Sequence, residues 1–382
     1  MSLKILQLSS DWKWTGPAEP MLRLAEAQRA RGHTVVMAYP SPAAGANRSL
    51  ATEAEAAGFV SVAPLDRRRG VHLLGDRADA ARLRELLRAQ AIDVVHCWHT
   101  RDHVLAWRAA RGRRDQTAIV RSYRSAERIA RTPWNRWLFG PAADGLLCVS
   151  PETARSNSAL RGGRPIAGAF GAVDLARFQP AKPDPAVRAS LGFAPEHEVI
   201  GIVARVQPHR RFDLLLAAAR QLFARRPNAR LLVVGRGTHR VQLAERPAEQ
   251  LGIADRVVFA GYRAGDYADV LRAIDVFTFL VPGSDGTCRA LLEAAACGIP
   301  AVTTRRGALA EIVVDGETGA LADETPASLA AAWEGLLADP ARRAALGAAA
   351  SQRARLLFTP EKLADAVLRL YDAASSARSK RA

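Results

Sequence analysis

Asp285 and Glu293 stand eight positions apart in V-P-G-S-D-G-T-C-R-A-L-L-E-A-A-A-C-G (281–298). Gly283 and Gly286 bracket Asp285, and a helix of small residues follows. Backbone N–H groups at a helix N-terminus, in a loop loosened by glycine, form an anion site. An ionised carboxylate accepts two or more hydrogen bonds, which suits sugar hydroxyls. The helical rise puts Glu293 roughly 12 Å along the axis from Asp285. A ligand that touches both is therefore elongated: a sugar at one end, a diphosphate over the amides and a ribose at the other. A helix with one exposed Glu and a capping Asp accounts for the same residues.

Other candidates are weaker alone. Arg205 and Arg210 emerge at the end of the strand-like G-I-V-A-R-V-Q-P-H-R-R, where two guanidiniums can clamp a phosphate. In an Arg-rich chain they are equally read as solvent-facing charges. Gly235-Arg236-Gly237 follows a strand and fits a nucleotide turn or a tight strand-to-helix turn. Gly16, in T-G-P-A-E-P, offers bare amides before a helix or plain turn chemistry. His96 and His99 sit at a strand end, where a structural histidine is the commoner case. Arg124 follows another strand as a functional cation or a surface charge.

Short apolar runs alternate with helical spacing throughout. Strands are expected at 4–10, 34–39, 92–98, 118–123 and 145–150, then at 199–206, 229–237, 256–262, 275–281 and 300–304. Helices are expected between them, including 78–90, 212–226 and 287–297, with a last one around 360–374. Three prolines in D-L-A-R-F-Q-P-A-K-P-D-P-A-V-R (174–188) mark a linker. The pattern gives two tandem α/β domains with parallel sheets, whose ligands bind beyond the carboxyl ends of the strands.

The 382 residues suit two domains. Lys and Arg number 54 against 38 Asp and Glu, a net of +16. Residues 1–180 hold 27 basic and 16 acidic residues, so most of the excess lies in the first half. That balance suggests an anionic partner, with Arg67, Arg68 and Arg69 as a candidate membrane-facing patch. GC-rich coding accounts for it equally. No stacking-aromatic or helix-turn-helix pattern supports nucleic-acid binding. Cys97, Cys148, Cys288 and Cys297 show no zinc spacing and read as reduced thiols of a cytoplasmic protein. Neither a signal peptide nor an apolar run of membrane-spanning length is apparent. Membrane contact is therefore expected to be peripheral, at the inner face of the plasma membrane.

The residues together resemble the retaining GT-B glycosyltransferases of family 4. That family's E-G-F-G-x-x-x-x-E-A-M-A-x-G-x-P-V-V is similar to D-G-T-C-R-A-L-L-E-A-A-A-C-G-I-P-A-V (285–302). Its G-R-L-x-x-x-K-G is matched by A-R-V-Q-P-H-R-R (204–211). G-A-V-D-L-A-R-F-Q-P (171–180) resembles its linker, and I-V-V-D-G-E-T-G-A-L (312–321) its D-G-x-T-G-x-L turn. T-G-P-A-E and A-R-G-H-T-V-V-M resemble its G-G-x-E and R-G-H-x-V-x-V.

The resemblance implies two Rossmann-like domains facing across a cleft: 1–175 with a C-terminal helix of about 360–375, and 176–359. It implies transfer from an NDP-sugar to a glycan, lipid-linked or small-molecule acceptor, with no cofactor and no metal. Arg205 and Arg210 would bind the donor diphosphate and stabilise departing charge. Gly286, Thr287, Cys288 and Arg289 would touch phosphate and sugar through their amides. Asp285 would hold sugar hydroxyls and Glu293 the ribose. Tyr262 and Arg263 would lie near the base, Gly16 over the phosphates, and His99 and Arg124 toward acceptor or sugar. The chain departs from the pattern in its shorter Asp285, in Thr287 and Cys288 for Phe and Gly, in Arg210 for Lys, and in Arg124 where the family often has His. A cell-envelope or lipopolysaccharide acceptor is the expectation. A non-catalytic sugar-nucleotide binder, or an epimerase or phosphorylase of the same fold, is the alternative.

Overall fold

In a computed structural model, residues 2–14, 16–46, 48–67, 70–72, 74–112, 116–282 and 286–379 are described. The chain forms two compact units. The first is Met1–Ala172 with Pro360–Ala382, and the second is Val173–Thr359.

Unit 1 alternates strand and helix. It contains β1 (Lys4–Leu8), α1 (Ala18–Ala30), β2 (Thr34–Ala38), α2 (Leu50–Ala56), α3 (Arg77–Ala89) and β3 (Val94–Cys97). After these come α4 (Thr100–Ala109), β4 (Ala118–Tyr123), α5 (Pro133–Phe139), β5 (Gly145–Cys148), α6 (Pro151–Arg161) and β6 (Ile166–Gly168). The strands make one parallel sheet in the order β2-β1-β3-β4-β5-β6. Strands β3 and β5 are buried at every position, as strands covered on both faces must be.

Unit 2 repeats the plan. It opens with α7 (Pro185–Ser190), β7 (Glu198–Val203), α8 (Phe212–Arg225), β8 (Ala229–Val234), α9 (Arg246–Gln250) and β9 (Val257–Gly261). Then come α10 (Tyr267–Arg272), β10 (Val276–Phe279), α11 (Arg289–Ala296), β11 (Ala301–Thr303), α12 (Leu309–Ile312) and β12 (Gly319–Leu321). Helices α13 (Pro326–Ala338) and α14 (Pro340–Leu357) close it, and α15 (Pro360–Ser379) returns to unit 1. The sheet order is β12-β11-β10-β7-β8-β9, again parallel. In both sheets the order reverses beside the first strand. The crevice where ligands bind an open α/β sheet therefore lies at β1/β3 in unit 1 and at β7/β10 in unit 2.

Local chemistry sets the helix starts. Thr132, Ser150, Thr325 and Asp339 each accept a backbone N–H three residues on, and each precedes a proline at the first helical position. Helix α15 buries one stripe, Leu363, Ala364, Val367, Leu370, Tyr371 and Ala374, in the cluster that contains Ile5, Val94 and Val120. Gly145 admits it: a Cβ there would lie 3.3 Å from Ala374. In unit 2, α14 approaches the α11–β11 turn so closely that a Cβ on Gly347 would meet the Gly298 carbonyl at 2.1 Å. That contact fixes the carboxyl end of α11.

Most element boundaries differ from the sequence expectation by one to a few residues, and three of the differences bear on the site. Strand β7 ends at Val203 and β10 at Phe279, so Arg205 and Val281 belong to loops. Helix α11 starts at Arg289, because Cys288 has a left-handed backbone (φ 53°) that cannot be helical. Strand β6 is three residues long, too short to show periodicity, and depends on Gly168, whose Cβ would meet the Ser150 carbonyl at 2.2 Å.

Candidate functional site

The β7/β10 crevice of unit 2 gathers most of the candidate residues. After β7 the chain makes one 3-10 turn, Pro208–Arg210, and enters α8 through Arg211, which is left-handed (φ 57°). The half-buried Arg210 reaches across the crevice. Its Nη1 donates to the Val281 carbonyl at 2.8 Å, and its guanidinium lies 5.6 Å from the Phe279 ring centre. Its Nε is buried without a partner. Burial pushes the Arg210 guanidinium below its ordinary value; Cys288 works against that shift and the nearby Arg205 charge adds to it. Arg205 is exposed. Among the described residues neither Arg205 nor Arg210 makes an ion pair.

The chain then enters α11. Thr287 and Cys288 are buried. The Cys288 Sγ lies 3.4 Å from the Gly286 carbonyl, and the Cys288 carbonyl accepts the Leu291 N–H at 2.8 Å. Cys288 and Arg211 both occupy the left-handed region that favours glycine. Both stand where the family pattern has Gly. Arg211 is tied by ion pairs to Asp213 and Glu324. Asp285, with Gly283, lies outside the described residues.

Glu293 is only 5% exposed, so the reading of α11 as a helix with one exposed Glu does not hold. The Tyr267 hydroxyl donates to its Oε2 at 2.7 Å, and Arg289 Nε lies 3.4 Å from Oε1. Tyr267 comes from α10 and packs edge-on to Phe178, 5.7 Å between centres. Burial, then the Glu293 charge, pushes its phenol well up, so it donates as the neutral phenol. An ionised carboxylate accepts more than one hydrogen bond, the chemistry that suits a pair of sugar hydroxyls.

The β8 and β9 ends complete this edge. Tyr262 is 57% exposed, with the Arg236 guanidinium 4.8 Å from its ring centre. Arg263 pairs with Asp266, which holds that carboxyl below the usual range. Gly235 and Gly237 have a packing role. A Cβ on them would meet the Ala204 and Val206 carbonyls at 2.2 and 2.4 Å, so the Gly-x-Gly turn is explained by close approach to the chain leaving β7.

Unit 1 satisfies many of its buried polar groups internally, with Arg121 Nε an exception. Gly16 lies in the turn before α1. Asp102 is fully buried and accepts the N–H groups of Ser10 (2.6 Å), Trp98 (3.0 Å) and His99 (2.6 Å), which fixes the loops after β1 and β3 together. His99 lines a cavity of about 370 Å³ with Ser10, Trp12, Lys13 and Arg67. Arg68 and Arg69 lie outside the described residues. The Arg124 guanidinium lies 5.2 Å from the Trp98 ring centre. His96 is structural. Its Nδ1 is 2.7 Å from the Tyr371 hydroxyl of α15 and its Nε2 2.8 Å from Ser122 Oγ. Burial, with Arg121 and Arg124, pushes it down to about 3, so the ring is neutral.

Sequence reasoning missed Asp102, Tyr267 and Arg236. Asp102 had one weak signal, an acidic residue in the first turn of a helix after a strand. Tyr267 meets Glu293 across 26 positions, and no spacing rule reports that contact.

Two family models match the chain in succession: "Glycosyltransferase Family 4" over residues 16–177 and "Glycosyl transferases group 1" over 184–353. A D-inositol 3-phosphate glycosyltransferase of Rhodococcus opacus is 41% identical over 207 residues, 52% of this chain and 46% of that protein. A GDP-mannose-dependent alpha-(1-6)-phosphatidylinositol monomannoside mannosyltransferase of Mycolicibacterium smegmatis is 35% identical over 236 residues, 58% of this chain and 59% of that protein. The chain thus spans about half the length of these curated relatives. The crystal structure of Anabaena HepE in complex with UDP and glucose superposes with a TM-score of 0.76 at 19% identity, covering 97% of this chain and all of the other. That likeness extends to the fold of both six-stranded units. With the two models adjoining along the sequence and this fold beneath them, the chain belongs to the GT-B glycosyltransferases of family 4, glycosyl transferases group 1.

Proposed function

We propose that the chain transfers a sugar from a nucleoside diphosphate sugar to an acceptor hydroxyl, with retention at the anomeric carbon and without a metal ion. The observation that carries this is the pair Arg205 and Arg210, two guanidiniums without ion pairs among the described residues, beside the start of α11 at the β7/β10 crevice. Such a site suits a diphosphate and stabilises the charge that develops as it leaves. The pair supplies the positive charge that a divalent ion gives elsewhere. Glu293, held by Tyr267, receives the ribose hydroxyls, and Asp285 the sugar hydroxyls. Tyr262 and Arg263 border the base, and the Gly286–Arg289 amides meet phosphate and sugar. The acceptor oxygen bonds to the anomeric carbon on the face from which the diphosphate departs. The carbon–phosphate-oxygen bond breaks, and the hydroxyl proton passes to the departing diphosphate.

The acceptor is a cell-envelope glycan or lipid-linked sugar, met at the inner face of the plasma membrane. Support comes from a relative named for phosphatidylinositol monomannoside and from the basic first half; relatives named for D-inositol 3-phosphate favour a small-molecule acceptor as the second reading. His99 and Arg124 of unit 1 serve the acceptor or the sugar.

The test is thermal stability against UDP-, GDP-, ADP- and TDP-sugars, repeated with Glu293→Ala. A ligand at a hundred times its Kd stabilises by about 2.7 kcal/mol. A shift with one nucleotide, lost in the variant, is expected. No shift with any of them overturns the donor site. A shift without acceptor-dependent release of free nucleotide moves the protein to the non-catalytic reading.

A further inference from the structure

We propose that the face formed by the last turn of α4 and by α5 docks the protein on an anionic lipid bilayer. Three indoles form a continuous ladder there. Trp107 and Trp137 meet edge-on and Trp137 and Trp134 meet tilted, each pair 5.0 Å between centres. The ladder ends in the open: Trp134 is 48% exposed, on a helix of seven residues. Arg111 lies 4.6 Å over Trp107 at the other end. Arg131 and Arg136 flank Trp134 and are exposed, and their side chains make no hydrogen bond or ion pair among the described residues.

Among the described residues the carboxylates nearby do little to cancel this charge. Glu127 is exposed at the start of the loop, and Glu152 of the neighbouring α6 is paired with Arg155. An exposed indole ringed by guanidiniums matches the boundary between headgroups and acyl chains, where Trp enters the interface and Arg meets lipid phosphate. The position also argues for docking. Helix α4 leaves the carboxyl end of β3 and runs back along the sheet, so Trp107 lies toward the amino edge, away from the β1/β3 crevice. A surface placed there holds the protein without occupying a substrate site. The inference does not depend on the glycosyl-transfer reading, and its test needs no donor.

The experiment is sedimentation of the full chain with phosphatidylcholine vesicles and with vesicles of phosphatidylcholine mixed with phosphatidylglycerol, at rising salt. Binding is expected only to the mixed vesicles, weakening with salt. Arg131→Gln and Arg136→Gln should each weaken it about fivefold, from roughly 1 kcal/mol per basic residue at such a surface. Trp134→Ala should weaken it further and remove a blue shift of indole fluorescence on binding. Arg220→Gln, an exposed Arg of α8 in unit 2, should change nothing. Unaltered melting temperatures establish that the variants are folded. Equal binding to both vesicle types, or full binding by the triple variant, overturns the proposal. So does loss of affinity for a soluble oligosaccharide in Trp134→Ala with vesicle binding intact, which would make the ladder a glycan platform. Concentration-dependent dimerisation abolished by Trp134→Ala would make it a self-interface and overturn the proposal as well.

Discussion

The two units share one sheet topology and place their crevices at equivalent strands, yet treat the charge there in opposite ways. In unit 1 most of the charge at this edge is matched internally, although Arg121 Nε is also buried without a partner. Arg101 is buried between Asp76 and Asp79, Asp102 spends its oxygens on three backbone N–H groups, and His96 is held neutral. In unit 2 neither Arg205 nor Arg210 makes an ion pair among the described residues, and Arg210 keeps a buried Nε without a partner. A buried polar group left unmatched is costly, so each of these two Nε atoms is a place that a ligand or an ordered water would complete. The lesson is that equivalent positions on one fold become scaffold or site according to whether their charges are already paired.

The sharpest break of this comparison removes one Arg from each edge. Arg101→Ala leaves the buried Asp76 without a counter-ion and Asp79 with Arg82 alone, and should cost about 3–5 kcal/mol of stability, read by urea unfolding. Arg210→Ala should leave stability nearly unchanged and lower kcat/KM about a hundredfold, from the ~3 kcal/mol typical of a lost charge-stabilising donor. If Arg210→Ala unfolds the protein instead, that guanidinium is scaffold too and the contrast fails.

Acid separates the units next. The folded value of His96, about 3, lies below its ordinary 6.5. Below pH 6.5 the unfolded chain therefore binds a proton that the folded chain refuses. The stability from His96 is complete above pH 6.5 and is lost as pH falls toward 3, at about 1.4 kcal/mol per pH unit. Between pH 6.5 and 5 unit 1 should lose about 2 kcal/mol, seen as lower amide protection factors in β3 and α15 after correction for the intrinsic exchange rate. His96→Gln should flatten that slope.

A smaller effect sharpens the role of Tyr267. Tyr267→Phe keeps the ring against Phe178 and removes the hydroxyl on Glu293. Donor KM should rise about tenfold with kcat nearly unchanged, the signature of lost ground-state binding. An equal fall in kcat would place Glu293 in the chemical step. The smallest effect concerns backbone strain. Cys288→Gly and Cys288→Ala both lose the thiol and differ by one Cβ in the left-handed region. The Gly variant should be the more stable by about 1 kcal/mol, measured by thermal unfolding.

Much of the scaffold is legible from residue type and spacing. The apolar runs of β1, β3, β7 and β8 and the Ser/Thr/Asp–Pro starts of α5, α6, α13 and α14 are local signals that the packing obeys. The candidate site is legible in part. Arg205, Arg210 and Glu293 stand at strand ends and on the helix where the motif puts them, because a parallel sheet brings every strand's carboxyl end to one edge. Two local readings were ambiguous and packing decided them. Gly235-x-Gly237 is a close backbone approach, and His96 is a pillar for α15.

The sequence by itself determined the alternation of strands and helices, the two-unit chain and the motif residues of unit 2. Those depend on neighbours within a few positions, where propensity and periodicity act. Tertiary structure decided which charges remain available. The Tyr267–Glu293 bond spans 26 positions, the Arg101–Asp76 pair 25, and the Tyr371–His96 bond 275. An ion pair or hydrogen bond forms only when folding brings its partners within about 3 Å, so pairing, and with it the difference between scaffold and site, appears only once the sheets are assembled.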